Sequence, residues 1–316
     1  MKLIILNIAL LSGLCIAETK IIYGQDNRID VSEVKNLQVR KLSQAIAGRV
    51  ANFKINQTFN GSGKDIVNFS GIRTLKDPMT YNLCSDEKFA NQPLLSDCTG
   101  FLVGDDLLVT AGHCITDYNT DVEDKVTSDC ENYSWVFDFK KNGKKGVSLK
   151  NVSPDNVYKC KRVIKAAYLD LDLAANHEDY AVIQLDRKVV GRTPLKLRGK
   201  GNIRKNTKLY VIGHPSGLPM KFADGARVFE IFDTYFATNL DTFGGNSGSP
   251  VFNAVTNRVE GILVRGDTDY TASTKDGEFC LRVNTCDDNR ENCQEEDPAI
   301  LGEHVSIISK VLPFLK

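Results

Sequence analysis

Three short segments carry the side chains from which nucleophilic catalysis is built: Thr110-Ala-Gly-His-Cys114, Asp179-Tyr-Ala-Val-Ile-Gln-Leu185 and Gly244-Gly-Asn-Ser-Gly-Ser-Pro250. A serine hydroxyl is a weak nucleophile and needs a neighbouring base to take its proton as it attacks a carbonyl. His113 suits that work because imidazole titrates near neutral pH. The imidazolium that forms needs a negative partner to orient and compensate it, and Asp179 stands at the head of an apolar run that would hold it. Ser247 is then the nucleophile. The Gly-rich turn around it permits unusual dihedrals, so the backbone N–H groups of Gly245 and Ser247 can converge on an oxyanion without any side chain. Taken singly, each segment has a plainer reading: a turn, a core histidine beside a structural cysteine, a strand-end cap.

The elements that must position these residues read as short strands. Phe101-Leu-Val103 and Leu107-Leu-Val109 flank the turn Gly104-Asp-Asp106, a β-hairpin that ends close to His113. Further strands are expected at Trp135–Phe139, Ala181–Leu185, Leu209–Ile212, Arg227–Phe232 and Val259–Val264. Lys141-Asn-Gly-Lys144 reads as a hairpin tip whose lysines, Lys140 and Lys145 included, are simply solvated. The polar stretch Asp186 to Asn202 is suited to linking two lobes. Apolar residues at 37, 39, 42, 45 and 46 predict a turn or two of amphipathic helix within Val34 to Val50. The spacing of Val305, Ile308, Val311 or Leu312, and Leu315 predicts a terminal amphipathic helix frayed by Pro313. Many short strands with one terminal helix point to two antiparallel barrels or a sandwich.

The chain has 316 residues, with 40 basic against 40 acidic side chains and 42% hydrophobic content, enough for one large domain or two lobes. The zero balance argues against a nucleic-acid partner and gives no electrostatic reason to bind anionic membranes. Lys2, the apolar run Leu3 to Leu14, and small residues at Cys15 and Ala17 predict an export signal over 1–17, cut before Glu18. The run is short of the ~20 residues that span a bilayer, and Leu14 is too bulky to precede a lipid-bearing Cys15. A secreted protein, extracellular or periplasmic, without a membrane anchor is expected. Residues 18–75 contain no cysteine and a Gly- and Asn-rich stretch at 56–63, and read as a leader or prosegment, leaving 76–316 as the functional domain. Eight cysteines remain after Cys15: Cys84, Cys98, Cys114, Cys130, Cys160, Cys280, Cys286 and Cys293. An even count in an exported chain suggests disulfides, and the absence of any C-x-x-C pair disfavours zinc, so no metal is expected. Local bridges are expected between Cys130 and Cys160 and within the loop carrying Cys280, Cys286 and Cys293.

Together the three catalytic segments, in the order His, Asp, Ser, resemble the chymotrypsin-like serine peptidases over about Leu83 to Leu315. The resemblance implies an all-β fold of two antiparallel barrels with a C-terminal α-helix. It also implies a cofactor-free, monomeric serine endopeptidase acting on protein or peptide substrates, with His113 and Asp179 from the first lobe and Ser247 from the second. It further implies a Cys98–Cys114 bridge that pins the base. The string Gly244 to Phe252 is closest to the bacterial glutamyl-endopeptidase-like branch. Asn246 stands where digestive trypsins have the aspartate that pairs with a cut N-terminus, so activation of a zymogen by that salt bridge is not expected. Six residues before Ser247, Asp241 falls where trypsin-like enzymes place the floor of the specificity pocket, which predicts cleavage after Arg or Lys. Thr242 matches the glutamyl branch, and Leu263 stands where that branch keeps a pocket histidine. Arg265 would neutralise Asp241 or attract acidic residues. A glutamyl-specific endopeptidase and an inactive peptidase-fold binding protein are the alternatives. His177 is expected in a loop, and His214 in a turn.

Overall fold

Alternation of side chains along the strands decides the architecture. In the computed structural model, which describes residues 22–172, 176–266, 268–289, 291–293 and 302–315, Lys208–Gly213 sends Leu209 and Val211 into one core. Tyr210 and Ile212 go to another, and a strand buried on both faces in this way must sit between two packed layers. Val251 and Phe252, and Leu263 with Ile262 and Val264, divide in the same manner.

The first barrel is closed by six antiparallel strands: Ile46–Ala51, Cys98–Leu102, Leu107–Thr110, Tyr133–Phe137, Val157–Asp172 and Asn176–Leu185. Pairing between the last two completes the ring, and Thr120–Lys125 adds to its outside. The second barrel repeats the plan with Lys208–Gly213, Lys221–Ile231, Tyr235–Thr238, Pro250–Asn253, Val259–Arg265 and Glu303–Ile307, closed by the first two. The stretch 186–207 joins the barrels, as its polar composition predicts. Four disulfides join Cys84 to Cys280, Cys98 to Cys114, Cys130 to Cys160 and Cys286 to Cys293. The Cys98–Cys114, Cys130–Cys160 and Cys286–Cys293 links fall where expected; Cys84–Cys280 is a long-range tie that spacing does not reveal.

Residues 18–75 are not set apart as a leader in the described part. Ile46–Ala51 is an interior barrel strand paired with both Tyr133–Phe137 and Cys98–Leu102. Ile55–Phe59 and Asp65–Phe69 form a hairpin, and Ile29–Asp30 pairs with Lys221–Phe222 of the second barrel. The helix predicted within 34–50 is Leu37–Leu42, capped by the Asn36 side chain, which accepts from Gln38 and Val39 N–H. The C-terminal helical part starts later and is tighter than its spacing suggested. Glu303–Ile307 is a strand, and two 3-10 turns follow at Ile308–Lys310 and Leu312–Phe314. The hairpin tip at 141–146 is present, but Lys141 is not merely solvated: its ammonium lies 3.2 Å from the buried Asp30 carboxylate. No helix among the described residues is long and apolar enough to cross a membrane. The signal expected over 1–17 lies outside the described residues.

Candidate active site between the barrels

His113 lies in a single 3-10 turn, Gly112–Cys114, directly after Leu107–Thr110. Asp179 is on the strand Asn176–Leu185, which pairs with Leu107–Thr110 from Ala181 onward. Hydrogen-bonded strand neighbours therefore bring the two together. Asp179 Oδ2 lies 2.7 Å from His113 Nδ1, while Oδ1 accepts the Gly112 N–H at 2.6 Å and the His113 N–H at 3.2 Å. Asp179 is fully buried. Burial alone would raise its pKa, but the His113 charge and hydrogen bonds, with Arg265 behind them, outweigh it and hold the carboxyl below its ordinary value.

Ser247 comes from the second barrel, in the turn before Pro250–Asn253. The turn is pinned to the first barrel. Thr99 N–H donates to Ser247 C=O at 2.8 Å, and Thr99 Oγ1 donates to Gly245 C=O at 2.9 Å. Ser306 Oγ, on the last strand, donates to Asp179 C=O at 2.8 Å. Gly245 has φ +82°, and a Cβ there would stand 2.8 Å from His214 O and 2.9 Å from Gly217 N, so only glycine fits. Gly248, at φ +87°, backs onto Thr99 more closely still, since a Cβ there would stand 2.0 Å from Thr99 O.

His113, Gly244, Gly245 and Ser247 open onto one cleft of about 390 Å³, whose walls are Arg49, Tyr81, Ser96, Asp97, Cys98, Tyr168, Ser216 and Gly217. Sequence reasoning missed most of these walls. Tyr168 sits opposite Asp179 in the strand register and packs on the His113 ring at 5.6 Å between centroids, a relation that needs the pairing to be known. Ser216, at φ +51° in Pro215-Ser-Gly217, shares a 2.5 Å hydrogen bond with Tyr270; the Pro-Ser-Gly turn was the available signal. The ligand atoms of Cys98, Cys114 and His113 lie within 4.8 Å of one another, but both sulfurs are committed to the disulfide.

The pocket residues expected from offsets are placed otherwise. Asp241 does not face the cleft. Its two oxygens accept N–H groups from the N-terminal segment, Tyr23 at 2.8 Å and Asn27 at 3.2 Å, and burial pushes its carboxyl up to about 7. The cation that acts on it is Arg28, not Arg265. Thr242 is buried and donates to Glu303, and Leu263 is in the second barrel's core. Arg265 ends its strand opposite His304, where its charge favours the Asp179 carboxylate. Asn246 is buried and accepts from Ser249 Oγ at 3.3 Å. His177 is on a strand rather than in a loop, buried, with its ring tilted against Tyr235 at 4.1 Å and stacked on His304 at 5.4 Å between centroids. His214 does begin a turn, is wholly buried against Phe139, and burial pushes its pKa down to about 4.

Comparison with known proteins agrees with this arrangement. The model of the trypsin-like peptidase domain matches residues 98–262, just over half of the chain. Secreted RxLR effector protein 73 of Plasmopara viticola is 31% identical over 187 residues, which are 55% of this chain and 42% of that protein; the chain thus spans less than half of that relative's length. Among solved structures, a Glu endopeptidase aligns with 17% identity and a TM-score of 0.42 over 83% of this chain and 93% of that one. Neuropsin, a serine protease of mouse brain, aligns with 15% identity and a TM-score of 0.45 over 70% and 87%. With two six-stranded barrels, a histidine–aspartate pair and a serine turn at their junction, and the matched domain spanning all three, this chain belongs to the trypsin-like peptidase domain family.

Proposed function

We propose that the chain is a serine endopeptidase that hydrolyses peptide bonds through an acyl-enzyme. Ser247 Oγ attacks the scissile carbonyl as His113 takes its proton. The N–H groups of Gly245 and Ser247 receive the oxyanion. His113 then returns the proton to the departing amine, and a water molecule, deprotonated by the same imidazole, releases the acyl group. Asp179 keeps the imidazole in the tautomer whose Nε2 can accept. The observation that carries the reading is the buried Asp179–His113 pair at 2.7 Å opening onto the same cleft as Ser247. Four disulfides and the secreted relative support export into an oxidising compartment. Preference for Arg or Lys does not follow from Asp241, whose oxygens serve the N-terminal segment.

Hydrolysis of fluorescein-labelled casein by the chain and by its Ser247→Ala variant tests the proposal. Release of peptides by the first and not the second is expected. Equal release from both refutes the role of Ser247, and none from the folded unmutated chain refutes the peptidase reading and favours a peptidase-fold binding protein.

A further inference from the structure

The geometry points to residues 22–30 as an intramolecular brace for the oxyanion turn, with Arg28 a positioning residue that acts on the Gly245 N–H through Phe243. This rests on the peptidase reading above and deepens it. Both ends of the segment are anchored to the second half of the molecule. Ile22–Tyr23 pairs in parallel with Thr285–Cys286, and Ile29–Asp30 with Lys221–Phe222. Between them Arg28, 2% exposed, gives Nε and Nη2 to the two Asp26 oxygens at 2.9 and 2.8 Å. Its guanidinium carbon stands 4.0 Å from the centre of the Phe243 ring.

Phe243 is fully buried, with Tyr270 at 5.1 Å between ring centroids. It immediately precedes Gly244 and Gly245, which have no side chains with which to fix themselves. Their position is set by neighbours: Asp269 Oδ2 accepts the Gly244 N–H at 2.9 Å, Ser216 N–H donates to Gly244 C=O, and Asn246 N–H closes the turn on Phe243 C=O at 3.0 Å. Two residues upstream of Phe243, Asp241 holds the same segment through Tyr23 and Asn27. A shift of Phe243 therefore passes to the N–H that must meet the oxyanion. A planar, always charged guanidinium fits a site that needs a bidentate fork on one edge and a ring against its face; an ammonium cannot supply both.

The test compares kcat and KM on fluorescein-labelled casein for the full chain and for Arg28→Ala, Arg28→Lys and Phe243→Leu, each with its melting curve. Phe243→Leu keeps the Arg28–Asp26 pair, and in Arg28→Ala the Asp26 charge still has Lys88 at 3.6 Å. The expected result is a fall in kcat of about 100-fold for Arg28→Ala, the scale of losing one oxyanion donor, with KM held within about threefold. Arg28→Lys falls between, and millimolar guanidinium chloride restores part of the Arg28→Ala rate where sodium chloride does not. Unchanged kcat in folded Arg28→Ala and Phe243→Leu overturns the brace. So does a loss that only tracks the unfolded fraction. Absence of Ser247-dependent hydrolysis in the unmutated chain overturns the peptidase reading along with it, which separates the two failures.

Discussion

Replacement of Asp179 by Asn tests how the buried carboxylate works, because the amide has the same shape and lacks only the second acceptor. Oδ1 serves two backbone N–H groups, from Gly112 at 2.6 Å and His113 at 3.2 Å, and Oδ2 faces His113 Nδ1 at 2.7 Å. The amide oxygen must stay on the backbone pair, since turning it would set NH2 against two N–H donors in a site with no water access. The NH2 then faces Nδ1, which can only accept, so the ring proton moves to Nε2 and the imidazole can no longer take the Ser247 proton. A triad locked in the wrong tautomer loses about 10⁴ in kcat in the family's template enzyme, roughly 5.5 kcal/mol at 1.36 kcal/mol per decade. Casein hydrolysis by Asp179→Asn is therefore expected to show that loss with KM nearly unchanged and with a melting point close to that of the parent. Retention of more than about a tenth of the parent kcat would refute the tautomer argument.

Three further outcomes follow from the geometry. Asp241, raised to about 7 by burial, binds its proton more tightly folded than unfolded, so its contribution to stability is fullest below about pH 4 and is lost as pH rises towards 7. Asp241→Asn should thus gain on the parent between pH 5 and 8, by on the order of 2 kcal/mol in denaturant titrations; a pH-independent difference would contradict the burial argument. Paired Cys98→Ser and Cys114→Ser changes open a loop of 16 residues and should cost about 3 kcal/mol in the same titrations, with loss of kcat because His113 adjoins Cys114. Gly245→Ala forces a side chain to φ +82° and onto His214 O, so activity should fall by at least about 100-fold; near-parental activity would remove Gly245 from the oxyanion site.

Much of the site was legible because nucleophilic chemistry constrains short local strings. His113 adjoins Cys114 just past a strand end, Asp179 directly precedes the apolar run Tyr180–Ile183, and Ser247 lies in a turn with Gly245 before it and Gly248 after it. The barrel strands were legible wherever alternation is clean, as in Leu209 to Ile212. Ile46–Ala51 was not, because its composition is disguised. Gly48 must be small where Ser96 and the His214 ring crowd it. Arg49 reads as a surface charge, yet its guanidinium is taken by Asp97, Asp129 and Cys114 C=O. The direction of Asp241 is invisible for a different reason: its partners lie 218 and 214 residues away, and an offset from Ser247 says nothing of which way a carboxylate turns. At the C-terminus, a short apolar run satisfies a helical and a strand period equally, and pairing of Glu303–Ile307 with two neighbouring strands decided for the sheet.

The most direct measurement is covalent labelling of the folded chain by a fluorophosphonate probe, followed by mass-spectrometric location of the adduct. A hydroxyl made nucleophilic by His113 should take up close to one probe per molecule, at Ser247 alone, with labelling abolished by Ser247→Ala and strongly slowed by Asp179→Asn. A folded protein that leaves the probe unreacted, or carries it elsewhere, would contradict the account.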